Sequence, residues 1–96
     1  MGVLLLVQYT AKPDQRGRFL QEVAESGILR DIRAEAGCQH YAYYLDAEND
    51  ECILLVEKWA SAAQQEQHLT QPHMARLLAI KERYIDDTRV ERVDTP

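Results

Sequence analysis

The sequence has no long apolar run and no excess of basic residues, and each absence removes a class of function. Its longest apolar run extends from Val3 to Val7, far short of the roughly 20 residues that a membrane span needs, and no basic segment precedes it as in a signal peptide. Acidic residues outnumber basic ones by 16 to 11, which gives a formal net charge of −5. Such a chain has no cationic field to attract nucleic acid or an anionic membrane. We therefore expect a cytoplasmic protein that binds neither.

Cysteine is also scarce, and the common cofactor and nucleophile motifs are missing. Cys38 and Cys52 form no CxxC pair and no dense disulfide pattern, so we expect free thiols. The sequence contains no glycine-rich phosphate loop and no GxSxG element. Nucleotide cofactors and acyl-enzyme chemistry are therefore not expected.

The composition that remains is that of a small globular protein. Of the 96 residues, 46% are hydrophobic and 28% are charged, which is ordinary for a folded domain. A chain of this length has room for one thin core that buries roughly 60–65% of its unfolded surface. Because no repeat or linker interrupts it, we predict a single domain over residues 1–96.

Hydrophobic periodicity predicts four strands and two helical regions, the second of which is divided into two helices. Strands are expected over residues 1–10, 38–45, 51–59 and 84–93, because apolar residues there form continuous runs or alternate. Apolar residues between positions 19 and 32 recur every three or four residues, which predicts a helix. Ser61 and Gln64 match a capping box that begins a short helix, and Pro72 fits the first turn of another. The order strand, helix, strand, strand, helix, strand is the ferredoxin-like split βαβ arrangement of an α+β protein.

Three residues mark the ends and the break of the first predicted helix. Asp14 is the expected N-cap, and Gly27 is expected to break or bend the helix. Gly37 is placed where a left-handed residue would end it before the next strand.

Two predicted strands are apolar on both faces, around residues 3–7 and 52–56. A small sheet with helices on one side should alternate polar and apolar residues, so something must cover its second face. A second copy of the same sheet is the economical cover. The sequence therefore predicts a homodimer.

Glu57 is the first candidate for chemistry, because period two places it on one strand face with Trp59. If this face meets the helices, burial would raise the pKa of the carboxyl unless a donor pairs with it, and Glu57 could act as a base. The alternative is a glutamate in a salt bridge at the rim of the sheet, beside a tryptophan packed in the core.

His68 and His73 flank the break between the last two predicted helices. Opposite ends of two helix dipoles would give the rings different proton affinities, as in an acid and base pair, although both could instead be exposed caps. With Glu57 they could supply three metal ligands, but the HxxxxH spacing matches no common zinc motif, and we expect no metal. His40 is expected to be a surface or dimer-contact residue.

Four segments together resemble the antibiotic biosynthesis monooxygenase family. These are Lys12-Pro13, Glu35-Ala36-Gly37-Cys38 with Tyr41, Glu57-Lys58-Trp59, and His68 through Pro72-His73-Met74. Their order and spacing are most similar to the bacterial quinol monooxygenase branch, and the resemblance covers nearly the whole chain. It implies a dimeric α+β barrel, in which two four-stranded sheets pack together and each protomer holds a pocket between sheet and helices.

The resemblance also implies a reaction and a set of site residues. The reaction is oxygenation of a quinol, phenol or anthrone-like aromatic by O2 without flavin, metal or haem, so no cofactor is expected. The implied catalytic residues are His68, His73 and Glu57. The match also implies that Trp59 lies at the pocket, and we expect the substrate to contact Trp59, Tyr41, Tyr43, Met74 and Leu77.

Two other functions are compatible with the same residues. One is an isomerase of a small phosphorylated sugar-like compound, of the autoinducer-2 processing type, which shares a similar double-histidine segment and would need Arg76, Arg83 or Arg89 as a cationic anchor. The other is a non-catalytic small-molecule binding dimer, in which the histidines serve as caps and the tyrosines line an interface.

Overall fold

The computed structural model describes residues 1–96 and contains four strands and four helices. The strands are β1 (Gly2–Ala11), β2 (Cys38–Leu45), β3 (Cys52–Trp59) and β4 (Ile85–Thr95), and the helices are α1 (Arg16–Ser26), α2 (Ile28–Arg33), α3 (Ala62–His68) and α4 (Pro72–Tyr84). The strands form one antiparallel sheet in the order β2-β3-β1-β4. The predicted α+β ferredoxin-like fold is confirmed. No helix is long and apolar enough to cross a membrane.

The first helical segment is divided as its glycine predicts, but its ends differ from the prediction. Gly27 adopts a φ of 79° and separates α1 from α2. The prediction that Asp14 caps α1 is wrong: Asp14 is itself left-handed, with a φ of 63°, and the N-cap is Gln15, which makes no side-chain cap hydrogen bond. Gly37 is left-handed as expected, but α2 already ends at Arg33, so this glycine turns the chain into β2 instead of ending the helix.

The second helical region begins as the sequence predicts. Ser61 Oγ accepts a hydrogen bond from the Gln64 backbone N–H at 3.2 Å and donates one to Gln64 Oε1 at 3.1 Å. Gln71 is the N-cap of α4, and Pro72 occupies its first turn.

The two faces of the sheet differ in what covers them. On the inner face, Val3, Leu5, Val7, Ile53, Leu55 and Trp59 are buried beneath helix residues that include Phe19, Val23, Ile28, Ile32, Leu77 and Ile80. On the outer face, Leu6 pairs with Val56 while Leu4 and Leu54 lie in neighbouring rows. No helix covers these apolar residues within the chain, and Leu54 remains 37% exposed.

Replacement of Gly37 tests how much the left-handed turn before β2 contributes to the free energy of unfolding. We expect Gly37→Ala to lower the free energy of unfolding by at least about 1–2 kcal/mol, because its φ is 84° and left-handed geometry disfavours a Cβ. The new Cβ would also overlap the side chain of Gln64, which belongs to the α3 capping box.

Urea unfolding monitored by circular dichroism measures this loss. Gly17→Ala is the matched control, because Gly17 is helical and, apart from its chain neighbours and the backbone of its own helix, no atom lies within 4 Å of the position that its new Cβ would take. The stability of this control should stay unchanged or rise by up to about 1 kcal/mol. Equal effects at the two glycines would contradict the proposed strain.

Candidate active site

A cavity of about 520 Å³ lies between the inner face of the sheet and helices α3 and α4, a size ordinary for a small-molecule site. Its polar lining is Glu57, Gln65, His68, Lys81, Thr88 and Arg92, and its apolar lining is Leu5, Val7, Tyr9, Tyr41, Leu69, Met74, Leu77, Leu78 and Val90. Val90 faces the cavity yet is 61% exposed, because β4 is the edge strand of the sheet and the helices do not cover it. The cavity is therefore mostly apolar. β1 and β2 contribute only apolar or aromatic side chains to its wall, and the polar side chains come from β3, β4, α3 and α4.

Glu57 places a buried carboxyl group in the cavity wall. Its residue is only 7% exposed, and Trp59 Nε1–H donates to its Oε1 at 3.1 Å. Burial is the main cause that raises the pKa of Glu57, while the Trp59 hydrogen bond, the charge of Lys81 and, when its ring is protonated, the charge of His68 oppose the rise. The predicted shared face of Glu57 and Trp59 is confirmed.

His68 lies at the C-terminal end of α3 with only 1% exposure. Its ring is 4.6 Å from the Trp59 ring between centroids and meets the Tyr41 ring edge-on at 5.8 Å. Its Nδ1 is 2.9 Å from Glu35 Oε2, and its Nε2 is 4.0 Å from Glu57 Oε1. An ionised carboxylate only accepts hydrogen bonds, so Nδ1 carries the proton toward Glu35 and a neutral ring keeps its lone pair on Nε2.

Glu35 joins the two histidines, a role that its sequence position did not predict. Its Oε2 also lies 2.7 Å from His73 Nε2, so one carboxylate contacts both rings. The signal that could have identified Glu35 is its place shortly before β2. Cys38 pairs with Trp59 at the end of β3, and α3 follows β3 directly, so the approach to β2 and the helix must meet at one end of the sheet.

Five of the eight site residues predicted from the sequence line the cavity: Glu57, His68, Tyr41, Met74 and Leu77. His73, Trp59 and Tyr43 do not. His73 lies on the far side of Glu35, and Trp59 is fully buried against His68.

Tyr43 lies on the inner face of the sheet with Tyr41, but its ring packs in the hydrophobic core and does not line the cavity. It packs against Phe19 of α1 at 5.8 Å and against Tyr9 at 6.4 Å between ring centroids. Burial raises the pKa of Tyr9 and of Tyr41, so both cavity phenols stay protonated at neutral pH.

The basic residues of the cavity are not those considered from the sequence. Lys81 of α4 and Arg92 of β4 line it, and Lys81 Nζ lies 4.9 Å from the centre of the Tyr9 ring. Burial lowers the pKa of Lys81, against the attraction of Glu57. Arg92 Nε also pairs with Asp94 at 3.0 Å, and the anchors considered from the sequence do not line the cavity: Arg76 pairs with Asp31, Arg83 with Glu22, and Arg89 with Asp87.

The chain matches one family of known proteins along most of its length. A family model for antibiotic biosynthesis monooxygenases matches residues 2–79. No curated protein matches the sequence.

Solved structures show the same fold at low sequence identity. A conserved protein from Methanosarcina mazei Go1 is similar at a TM-score of 0.88 and 20% identity, over 100% of this chain and 94% of that one. PA3566 from Pseudomonas aeruginosa is similar at a TM-score of 0.85 and 22% identity, over 99% and 94%. An antibiotic biosynthesis monooxygenase is similar at a TM-score of 0.83 and 21% identity, over 98% of each chain.

The raised pKa of Glu57 predicts a particular pH dependence of stability. The folded state holds the Glu57 proton more tightly than the unfolded state, so this residue makes the protein less stable as pH rises from its unfolded pKa, near 4.5, through its folded pKa. Glu57→Gln keeps an oxygen that accepts from Trp59 and removes the titration. We therefore expect the stability of the wild type relative to Glu57→Gln to fall as pH rises across this range.

Urea unfolding at a series of pH values measures the difference. Glu66→Gln, on the exposed side of α3, is the control and should track the wild type. A wild-type stability that rises with pH relative to Glu57→Gln would show that the Glu57 pKa is lowered instead.

Proposed function

The chain belongs to the antibiotic biosynthesis monooxygenase family, and on that premise we propose that it oxygenates a quinol, phenol or anthrone-like aromatic with O2 and requires no flavin, metal or haem for this reaction. The observation that carries the proposal is the Glu35–His68 pair beside Glu57 at the wall of an apolar cavity. In such a reaction the substrate supplies the electrons, so the main task of the protein is to remove a proton and exclude water.

His68 is the proposed base. Its Nδ1–H donates to Glu35, which fixes the ring and stabilises the imidazolium that forms when Nε2 takes the phenolic proton. Glu57 lies 4.0 Å from Nε2 and can share this proton, because its raised pKa brings it closer to the range of an imidazole. His73 helps to hold the Glu35 carboxylate in place for His68, through a contact of 2.7 Å between His73 Nε2 and Glu35 Oε2.

The resulting electron-rich anion transfers an electron to O2, and the radical pair combines within the cavity. One oxygen atom enters the substrate and the other leaves as water, as when an anthrone methylene becomes a carbonyl. Tyr41, Met74 and Leu77 form apolar walls that hold the aromatic ring and keep water from the radical pair. The buried phenols of Tyr9 and Tyr41 stay protonated and can donate hydrogen bonds to a substrate oxygen.

One observation favours a second candidate, the isomerase of a small phosphorylated compound. Lys81 and Arg92 give the cavity two basic side chains that could hold a phosphate. The same His68 would then move a proton between carbon atoms without O2. Turnover that consumes no oxygen and is lost in Lys81→Met would support this function instead.

Oxygen consumption by flavin-free and metal-free protein, presented with a panel of hydroquinones and anthrones, tests the leading proposal. We expect His68→Gln to lower kcat by about 10²–10⁴-fold, the range typical of a lost general base. Glu35→Gln should lower it less, because it leaves the imidazole in place without its charged partner.

His40→Ala is the matched control, because His40 is an exposed histidine on β2 that contacts Tyr44 instead of the cavity. Its oxygen consumption should equal that of the wild type. Consumption that survives in His68→Gln at the wild-type rate would contradict His68 as the base.

We also propose that two copies of the chain pack through the outer faces of their sheets. Leu4, Leu6, Leu54 and Val56 form an apolar surface there that no helix of the same chain covers. An uncovered surface of this kind on one sheet is complementary to itself in a twofold dimer.

A charge on the outer face should break this dimer. We expect the wild type to have a dimeric mass at micromolar concentration, and Leu54→Arg to shift it to a monomer while the chain remains folded. Leu45→Arg is the control, since Leu45 is an exposed leucine of the same hairpin that points to the other face. Light scattering with size-exclusion chromatography measures the mass, and a monomeric wild type would contradict the assembly.

A further inference from the structure

We propose that Glu35, His68 and His73 form a binding site for a divalent transition-metal ion of the zinc type, and that an ion bound there blocks the base function of His68. The three side chains offer two imidazole nitrogens and one carboxylate, all within 4.8 Å of one another. This site differs from the set considered from the sequence, because Glu35 takes the place of Glu57.

The ligand atoms are arranged closely enough to share one ion. Glu35 Oε2 lies 2.9 Å from His68 Nδ1 and 2.7 Å from His73 Nε2. Zinc bonds to nitrogen and oxygen are about 2.0–2.2 Å long, which places tetrahedral ligand atoms about 3.3 Å apart. These two pairs therefore each need to open by only about half an ångström to admit the ion, and the two histidine nitrogens lie within 4.8 Å of each other.

The backbone fixes the three ligands from different directions. His68 ends α3, His73 lies in the first turn of α4, and Glu35 stands in the turn between α2 and β2. All three side chains are largely buried, with exposures of 1% for His68, 13% for His73 and 10% for Glu35. Two imidazoles with one carboxylate form the set that binds Zn²⁺ or Fe²⁺ with open positions for water.

A second cavity, on the side of His68 and Glu35 away from most of the substrate-cavity lining, lies against two of the three ligands. It has a volume of about 220 Å³ and is lined by Glu35 and His68 together with Ala36, Gln64, Gln67 and Gln71. The glutamine amides can hydrogen-bond to water molecules that complete the coordination of the ion. Glu35 and His68 thus face an opening with the polar lining that a hydrated cation requires.

Metal binding and base catalysis exclude each other at His68. Catalysis needs the proton on Nδ1, where it is donated to Glu35, and a lone pair on Nε2. An ion coordinated by Nδ1 moves the ring proton of the neutral histidine to Nε2, which becomes a donor and can no longer accept the phenolic proton. This consequence rests on the proposed function, whereas the binding of the ion does not.

Calorimetric titration of ZnCl2 into untagged, metal-free protein tests the site itself. We expect saturation at one ion per chain and a melting temperature that rises with zinc concentration, because the native state alone presents the three ligands together. His73→Ala and Glu35→Gln should each weaken zinc binding at least about tenfold. Circular dichroism of the metal-free variants shows which of them are folded, and the titration is done on at least one folded variant.

Two controls separate this site from other zinc ligands of the chain. His40→Ala removes an exposed histidine and Cys38→Ser removes the partly exposed thiol nearest in sequence to Glu35, and both should bind zinc as the wild type does. No saturable binding to the wild type, or unchanged binding to folded His73→Ala and Glu35→Gln, would overturn the proposal.

Oxygen consumption measured with increasing ZnCl2 tests the blocking step. Activity should fall in step with site occupancy in the wild type and in Cys38→Ser. Zinc that binds at this site without lowering activity would overturn the blocking step alone. If no substrate is found, the titration still decides whether the site exists.

Discussion

The carboxylate of Glu35 accepts hydrogen bonds from two imidazoles that belong to different helices, and the geometry of the site depends on this shared acceptor. It orients His68 toward the substrate cavity and connects His73 to the same network. Hydrogen bonds to a charged group contribute about 1.5–3 kcal/mol each, and a buried polar group left without its partner costs a similar amount. The contact with Glu35 therefore favours the orientation of the buried His68 ring in which Nδ1–H has a hydrogen-bond acceptor.

The sheet places this network next to the cavity. β3 carries Glu57 and Trp59 on its inner face, and the register with β2 brings Tyr41 directly opposite Glu57. α3 follows β3 immediately and packs His68 onto the Trp59 ring. β4 pairs along β1 at the edge of the sheet, where the helices do not cover it, and its inner face forms the open wall of the cavity. Proton chemistry and an apolar binding surface thus meet at one end of the same sheet.

Local patterns in the sequence predict much of this fold because their causes are local. Period two places Glu57 with Trp59, Gly27 marks the break between α1 and α2, and Ser61 with Gln64 marks the start of α3. Asp14 shows the limit of such rules, because its own left-handed backbone removes it from the capping position.

The residues that the sequence does not identify depend on contacts between distant segments. Glu35 joins the site only because the turn before β2 meets the end of α3, and no spacing rule relates position 35 to positions 68 and 73. Alternation likewise places Tyr41 and Tyr43 on one face but does not reveal that Phe19 of α1 covers Tyr43 while Tyr41 reaches the cavity. The roles of these residues in catalysis follow from chemistry at the cavity, which the fold alone does not determine.

The proposed function depends on Glu35 holding His68 with its proton on Nδ1 and its lone pair on Nε2. Long-range ¹H–¹⁵N correlation NMR of histidine-labelled, metal-free protein reads this state directly, with His68→Gln used to assign the signals. We expect a neutral His68 ring with a protonated Nδ1 and an unprotonated Nε2, and loss of this preference in Glu35→Gln. A neutral His68 protonated on Nε2 in the wild type would contradict it.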